Sequence, residues 1–390
     1  MKALFLVFHG LEAHGIGKKI RYQINALQQC GVDSRLCFLS IDPDGLHKRM
    51  INDDVLENFG RGTIAKIKKR ICYKSLTDYV LKNKIDFLYI RSFHNANPFL
   101  INMLKKLKRS GVISLLEVPT YPYDQEYLNV ALSEQVRFSF DKLFRHQLTR
   151  QIHWIVTFSN YLTIFGVPTI NISNGIDFDQ IKVKENLNRQ PDLVRLIGVA
   201  EIHFWHGFDR MLTGLAAYYQ RPQKTKVFFD IVGDGVPEEI NKLKAIIAAN
   251  KLEKYVTMAG PRTGPDLDQL FEKADMGVAS LGRHRSHITY IKPLKNREYA
   301  ARGIPFIYSE IDDDFENMPY IMKASPDESP VNVEEIVQFL NKNKFSPADI
   351  RDTIKDKLSW KTQMAKVVYT INQAINPNED LSYGNSTNDF

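Results

Sequence analysis

The sequence predicts an α/β protein built as two doubly wound, Rossmann-like domains that face a cleft. Three observations predict it. Short apolar runs alternate with helical patterns along the chain. The series occurs twice. A polar stretch with no apolar period, residues 179–192, separates the two series and reads as a linker.

In the first half the strand candidates are Ala3–Phe8, Ser34–Ile41, Asp86–Arg91, Val112–Val118, Trp154–Phe158 and Thr169–Ile172. In the second half they are Val194–Val199, Val227–Val232, Tyr255–Ala259, Met276–Ser280, Pro305–Tyr308 and Tyr320–Lys323. Each is apolar on both faces, as strands of a buried parallel sheet are. Helical patterns lie between most of them: Gly17–Gln29, Tyr73–Asn83, Asn97–Ser110, Asp209–Tyr219, Pro237–Asn250, Pro265–Lys273 and Arg297–Arg302. Alternation of this kind implies right-handed crossovers and parallel sheets. The domains read as 1–180 and 181–358. A last helical pattern follows over 359–376, and the polar tail 377–390 reads as disordered. Ligands of open α/β sheets bind outside the carboxyl ends of the strands, so both sets of ends are expected to face the cleft.

Composition narrows the class. The chain has 390 residues, 44% hydrophobic and 25% charged, an ordinary globular balance and more than one core usually serves. No apolar stretch reaches the roughly 20 residues that span a bilayer, and the opening MKALFLVF reads as a buried strand, not a signal peptide. Cys30, Cys37 and Cys72 match no metal or redox spacing, which argues against a disulfide framework or a zinc site and for a reducing cytoplasm. Lys+Arg exceed Asp+Glu by 52 to 45, for a net charge of +7. The basic runs are Lys66–Arg70, Lys105–Arg109 and Arg283–Arg285, the first two within helical patterns. Two readings stay open for them: a solvated helix face, or a peripheral patch on anionic lipid headgroups. No nucleic-acid recognition motif is present.

The chemistry-bearing residues cluster after strands. Gly15 and Gly17 lie in a glycine-rich loop between the first strand and helix, where backbone N–H groups can cradle a phosphate. Neither nucleotide fingerprint is complete: Ile20 takes the third glycine position of one, and Glu12 the first glycine of the other. A structural turn is the equal alternative. His94 follows the strand Asp86–Arg91, at a cleft-facing end. Glu117 ends the next strand and leads into Pro119-Thr120-Tyr121-Pro122-Tyr123, either a packed turn or a wall that holds a sugar by stacking and hydroxyl bonding. In the second half Glu201 and His206 follow one strand, and Gly233-Asp234-Gly235 the next. The richest stretch, 280–305, sets Arg283, Arg285, Lys292, Lys295 and Arg297 before Glu298. Several cations at a helix start suit a diphosphate, and a carboxylate one turn on suits ribose hydroxyls. His284 and His287 lack the companion ligands of a metal site.

Together these pieces resemble the bacterial GT-B glycosyltransferases of the large retaining family 4 type, over nearly the whole chain. Asn174–Asp177 resembles the segment closing that family's first domain, and Val232–Gly235 its Val-Gly-Asp-Gly turn. Val256–Gly260, with Leu270–Asp275, is similar to its nucleobase-pocket strand and helix, and Arg262 lies just beyond that strand. Glu298–Pro305 resembles its Glu-Ala-Met-Ala-x-Gly-x-Pro element, in which the Glu binds ribose. Trp205–Arg210 and Glu117–Tyr123 are similar to a capsule and exopolysaccharide subgroup, and the Trp360 helix to the helix that crosses back onto the first domain. Two departures stand out. Tyr290 takes the place of the first of two spaced Glu residues, and Glu201 and His206 take the places of the usual Arg and Lys diphosphate clamp.

The resemblance implies transfer of a sugar from a nucleotide-sugar to a hydroxyl of a glycan, lipid-linked in the expected case, with retention and without metal or other cofactor. Residues 1–180 would be the acceptor side and 181–358 the donor side. It places Gly15, Gly17, Glu201, His206, Gly233, Asp234, Gly235, Arg262, Tyr290, Lys292, Lys295 and Glu298 with the donor, and Glu117, Thr120, Tyr121 and Tyr123 with the acceptor. His94, Lys295 and Glu298 are the expected catalytic set, with Lys292 and Lys295 as a replacement clamp. A non-catalytic nucleotide-sugar or glycan binder, or a nucleotide-sugar epimerase of the same fold, is the alternative.

Overall fold

The computed structural model describes residues 1–11, 15–92, 94, 96–123, 132–185 and 189–376. The disorder expected of the tail 377–390 lies outside these residues, as do Glu12–His14 of the glycine loop. Two compact units divide the chain. Among described residues, unit 1 takes 1–119, 132–172 and those from Lys361 on, and unit 2 takes 120–123 and the residues from Ser173 to Trp360.

Unit 1 holds β1 (Lys2–Leu6), α1 (Gly15–Gln29), β2 (Asp33–Ile41), β3 (His47–Ile51), β4 (Asp54–Gly60), α2 (Gly62–Ile71), α3 (Lys74–Lys82), β5 (Phe87–Arg91), α4 (Pro98–Arg109), β6 (Ile113–Val118), α5 (Leu132–Thr149), β7 (Trp154–Thr157), β8 (Thr163–Ile164) and β9 (Val167–Asn171). Its strands order as β4-β3-β2-β1-β5-β6-β7-β9-β8. The core from β2 to β9 is parallel and doubly wound from β1, so the order reverses between β1 and β5. The antiparallel hairpin β3–β4 was not expected, because it extends the sheet edge with one face only half-covered and so lacks a continuous apolar run. Helix α5 was missed for a related reason. It exposes Val136, Phe140 and Leu143, which blurs its apolar period.

Unit 2 holds β10 (Leu193–Val199), α6 (Phe208–Tyr218), β11 (Lys226–Val232), α7 (Pro237–Ala249), β12 (Val256–Gly260), α8 (Gly264–Lys273), β13 (Met276–Val278), α9 (Leu294–Arg302), β14 (Phe306–Tyr308), β15 (Ile321–Lys323), α10 (Val333–Lys342) and α11 (Pro347–Lys355). Helix α12 (Trp360–Ile375) starts at this unit's last residue. All pairs in its sheet are parallel, in the order β12-β11-β10-β13-β14-β15. That is the dinucleotide-fold order, with its switch point between β10 and β13. One apolar cluster joins Val194, Leu196, Phe208, Phe229 and Ile336, and a second joins Ile197, Tyr299, Phe306 and Phe315.

Unit 2 begins ahead of the polar break at 179–192. That stretch is pinned to the unit by polar bonds that its composition does not reveal. Ile176 pairs with the chain at Leu358 and Trp360, Arg351 donates to the carbonyls of Phe178 and Ile181, and Lys184 donates to Ala274 O at 2.5 Å.

Close packing at Gly214 on α6 generates a test. A Cβ there would stand 2.1 Å from the Val331 carbonyl oxygen, just before α10. Alanine gains about 1 kcal/mol of helix propensity over glycine, but backbone cannot yield as a side chain can. Gly214→Ala is expected to destabilise unit 2 by about 2 kcal/mol and lower its melting temperature by about 4–8 °C. A higher melting temperature would show that the contact is not tight.

Candidate functional site

The switch point of unit 2 gathers several of the residues that the sequence singles out, while Gly15, Gly17, His94 and Glu117 lie in unit 1. The loop after β10 and the loop after β13 are zipped together: Leu281 N donates to His206 O at 2.9 Å, and Gly282 N to Trp205 O at 3.2 Å. Buried Arg210, on α6, donates to the carbonyls of Ser329 and Leu281 and so ties the same junction. The Gly233–Gly235 turn backs the first loop. Ile202 N donates to Asp234 O at 2.7 Å, and a Cβ on Gly233 (φ 131°) would lie 1.8 Å from Ala200 O. Glycine is needed there for close packing of two loops, a reason separate from any ligand. Asp234 is exposed, and its Oδ1 accepts from Gly235 N.

The electrostatic centre is Lys295 in the first turn of α9. Its Nζ is shielded from solvent and has no hydrogen-bond partner among the described residues. Burial, reinforced by Arg283, lowers its pKa to about 7, against the opposing pull of Glu310. Glu310, just past β14, is buried, and burial pushes its carboxyl up; Asn296 reaches its Oε1 at 3.3 Å, while Oε2 has no partner among the described residues. Ser280 Oγ and Asn296 Oδ1 are also buried without a bond among the described residues. His206 is buried, and burial together with Lys295 and Arg283 holds it well below the ordinary histidine pKa. Its Nδ1 accepts from His203 N at 3.0 Å, so this neutral ring carries its proton on Nε2. The Arg283 guanidinium lies 5.3 Å from the Trp205 ring centre. Buried polar atoms are normally paired, and a group of unpaired ones is where a polar ligand would complete the bonding.

Other expected site residues have protein partners. Arg285 forks onto Asp209 at 3.0 Å through two nitrogens and also onto Glu328, which His284 joins. Arg297 is fully buried against Asp312 and Asp314, so it is a structural ion and not a ligand cation. Lys292 Nζ donates to Ser173 Oγ at 3.1 Å and lies 3.9 Å from Asp314. It therefore differs from Lys295, and the expected clamp of two lysines has one committed member. Tyr290 donates to Asp313. Glu298 Oε1 accepts two bonds from Arg302, at 3.0 and 2.9 Å, which leaves Oε2 outside that pair. Glu201 is exposed, 3.4 Å from His203, and Arg262 is exposed beyond β12.

Unit 1 builds a second charged cluster, near its own switch point. Glu117, at the end of β6, is 0% exposed. Oε1 meets Arg91 and, at 3.3 Å, Lys19; Oε2 accepts from Tyr89 and Gln23, both at 2.7 Å. Burial alone would raise its pKa, but Lys19, Arg91 and the two hydrogen bonds hold it at about 2. Both oxygens are taken inside the unit, so Glu117 serves the interior and not an acceptor at the surface. Thr120 and Tyr121 are partly exposed, while Tyr123 is buried edge-on to Tyr121 at 6.4 Å. They belong to the segment counted with unit 2. His94 has a left-handed backbone (φ 48°), with Nδ1 3.8 Å from Asp141, which also accepts from Ala96 N. Gly15 and Gly17 form the first turn of α1, the former exposed and the latter buried.

Glu310 and the Lys19–Arg91 pair were missed. Glu310 had a signal close to the one that flagged Glu117, an acid at or just past the end of an apolar strand. Lys19 was legible only as part of a glycine-loop motif.

No protein-family model and no curated protein sequence matches the chain. Solved structures do. Sucrose-phosphate synthase from Thermosynechococcus elongatus matches with a TM-score of 0.69 at 16% identity, over 96% of this chain and 99% of that one. A glycosyltransferase from Rickettsia africae matches at 0.64 and 14%, over 97% and 99%. HepE from Anabaena, in complex with UDP, matches at 0.55 and 16%, over 97% and 99%. The chain has the α/β fold with parallel sheets of these GT-B structures. At such identities the likeness is one of fold.

Two tests follow from the buried charges. The Glu117 carboxylate, with its pKa lowered from 4.5 to about 2, contributes stability that is full above pH 4.5 and is lost as pH falls toward 2. Glu117→Gln leaves the Arg91 guanidinium buried without a counter-charge, and Lys19, whose pKa burial already lowers to about 7, loses the carboxylate that helps hold its proton; the change should cost about 3–5 kcal/mol near neutrality. Denaturant titration should show that cost shrinking below pH 4.5; a cost independent of pH would contradict the cluster. Lys295 has the opposite sign. Its charge is costly to bury below pH 7, and the cost relaxes as pH rises from about 7 toward 10.5. Lys295→Met should therefore stabilise the protein more at about pH 6 than at about pH 9. Equal gains at both would mean that Nζ is solvated.

Proposed function

We propose that this chain is a glycosyltransferase that moves a hexosyl group from a nucleotide-sugar to a hydroxyl of a glycan, with retention and without a metal ion. The observation that carries the reading is the buried Lys295 Nζ, without a hydrogen-bond partner among the described residues, beside the neutral His206 ring at the switch point of a dinucleotide-type sheet. A diphosphate oxygen there would supply the missing acceptor. Lys295 would take up a proton as it binds and stabilise the departing nucleotide diphosphate in the transition state. Glu298 Oε2 would accept from ribose, with Arg302 holding the other oxygen. Arg262, Tyr290, Lys292 and Glu201, all in unit 2, complete the donor set in this reading. Thr120, Tyr121 and Tyr123 form the acceptor wall. HepE is described in complexes with UDP, with UDP and glucose, and with UDP-glucose, which supports a nucleotide-sugar donor. The resemblance to family 4 supports retention, and the capsule-like segments support a lipid-linked acceptor in surface polysaccharide synthesis at the cytoplasmic face of a membrane.

The departures at Glu201, His206 and Tyr290 favour one second reading, a nucleotide-sugar binder without turnover; product analysis separates the two.

The test is a thermal-shift panel of UDP, GDP, ADP, CMP and dTDP and their sugars, with and without EDTA. A ligand at about 100 times its Kd stabilises by about 2.7 kcal/mol. One nucleotide should stabilise regardless of EDTA, with proton uptake near pH 8 measured as a buffer-dependent binding heat, at roughly one unit above the lysine's own pKa. Lys295→Ala and Glu298→Ala should abolish or strongly weaken the shift. No response to any nucleotide would defeat the proposal.

A further inference from the structure

Unit 1 concentrates its cations on one layer of helices. The connections through α2 and α3, through α4 and through α5 all advance in the same direction across the sheet, from β4 to β5, β6 and β7. Right-handed crossovers therefore put these helices on one face, and α4 packs between α3 and α5. Helix α2 and helix α4 contain no acid. Helix α3 contains one acid, the exposed Asp78, and helix α5 contains Glu134 in its first turn and Asp141, which is buried. Against these stand Lys66, Lys68 and Arg70 of α2, and Lys105, Lys106, Lys108 and Arg109 of α4, all exposed.

Apolar side chains stand out from the same layer. On α5, Val136, Phe140 and Leu143 are 51%, 55% and 67% exposed at a spacing that aligns them along one stripe. On α2, Ile64 and Ile67 are 67% and 53% exposed among the lysines, and only Ala65 of that helix is buried. Helix α4 adds Phe99 near its start. A solvated face would not place large apolar groups outward in such a stripe. A binding face for a neutral protein would not need the cations. Exposed apolar residues interleaved with lysine and arginine are what an interfacial helix presents to acyl chains and anionic headgroups.

We infer that the α2–α4–α5 face of unit 1 docks on an anionic lipid bilayer, with Phe140 and Leu143 of α5 and Ile64 and Ile67 of α2 entering the headgroup layer. Among the described residues no helix is long and apolar enough to cross a membrane, so this attachment is peripheral and reversible. The inference deepens the reading of a lipid-linked acceptor and rests on that reading for its purpose. Its residues lie wholly in unit 1, and the nucleotide site is proposed on residues of unit 2.

The experiment is flotation of the full chain with phosphatidylcholine vesicles, with and without phosphatidylglycerol. Binding is expected to the anionic vesicles alone, falling as salt screens the headgroups. Each lysine near such a surface contributes about 1 kcal/mol, or about fivefold in affinity, so Lys66→Ala/Lys68→Ala/Lys105→Ala/Lys106→Ala should weaken binding by about a hundredfold or more. Phe140→Ser/Leu143→Ser should weaken it by about tenfold or more. The altered side chains are exposed, and the nucleotide thermal shift of both variants should match the parent, which shows them folded. No flotation, equal flotation with neutral vesicles, or anionic binding unchanged in both variants would overturn the docking face. A thermal-shift response that survives those results keeps the nucleotide reading intact, and loss of that response with flotation preserved would separate the two the other way.

Discussion

The candidate site of unit 2 is built on one buried cation, the Arg297 guanidinium. It is fully enclosed in α9 and bonds Asp312 and Asp314 while lying 5.1 Å from the Phe315 ring centre. A buried charge is tolerated only when its partners and hydrogen bonds are nearly complete, so this one dictates where the chain after β14 can run. Asp312 also accepts from Asn296, and Asp314 from Ser173. Asn174 then donates to the Lys292 carbonyl. The start of α9 is thereby held from three directions, and Lys295 and Glu298 are presented by a helix that has little freedom to shift. Arginine is suited to this role because it stays charged and its planar fork meets two carboxylates at once.

The two units treat buried charge differently. In unit 1 the Glu117 carboxylate has four partners on its two oxygens, and the cluster acts as an internal brace between α1, β5 and β6. In unit 2 the charges at the corresponding end of the sheet are incompletely matched: Lys295 Nζ and Glu310 Oε2 have no bond among the described residues. A brace lowers the energy of the folded chain by itself. An incomplete cluster raises it, and such a cost persists in an otherwise well-packed region when a ligand repays it. The contrast locates the functional reading in α9 and the β13 loop, even though both units carry acids and cations at strand ends.

Much of this was legible from residue order. The parallel strands and their crossover helices announced themselves as short apolar runs between amphipathic patterns, because a strand buried on both faces has no polar residues to hide it. Edge elements did not. The hairpin β3–β4 and helix α5 each leave a face uncovered, so their composition is mixed and their period blurred. At the site, the cations of 280–305 were visible as a group, but the sequence could not sort them. Arg285, Arg297 and Lys292 are matched by Asp209, Asp312, Asp314 and Ser173, residues up to 119 positions away.

What the sequence by itself determined was the class of the fold and the doubling of its sheet, together with the stretch where the candidate site is sought, since these follow from local period and from which residues end a strand. Tertiary structure decided which of those residues remain available. A lysine, an arginine and a glutamate have the same local appearance whether they face a ligand or a buried counter-charge. Long-range pairing of Arg297 with the chain after β14, of Arg285 with Asp209 and of Lys292 with Ser173 separates Lys295 from its neighbours, because the cost of a buried charge depends on partners brought together by folding and not on sequence distance.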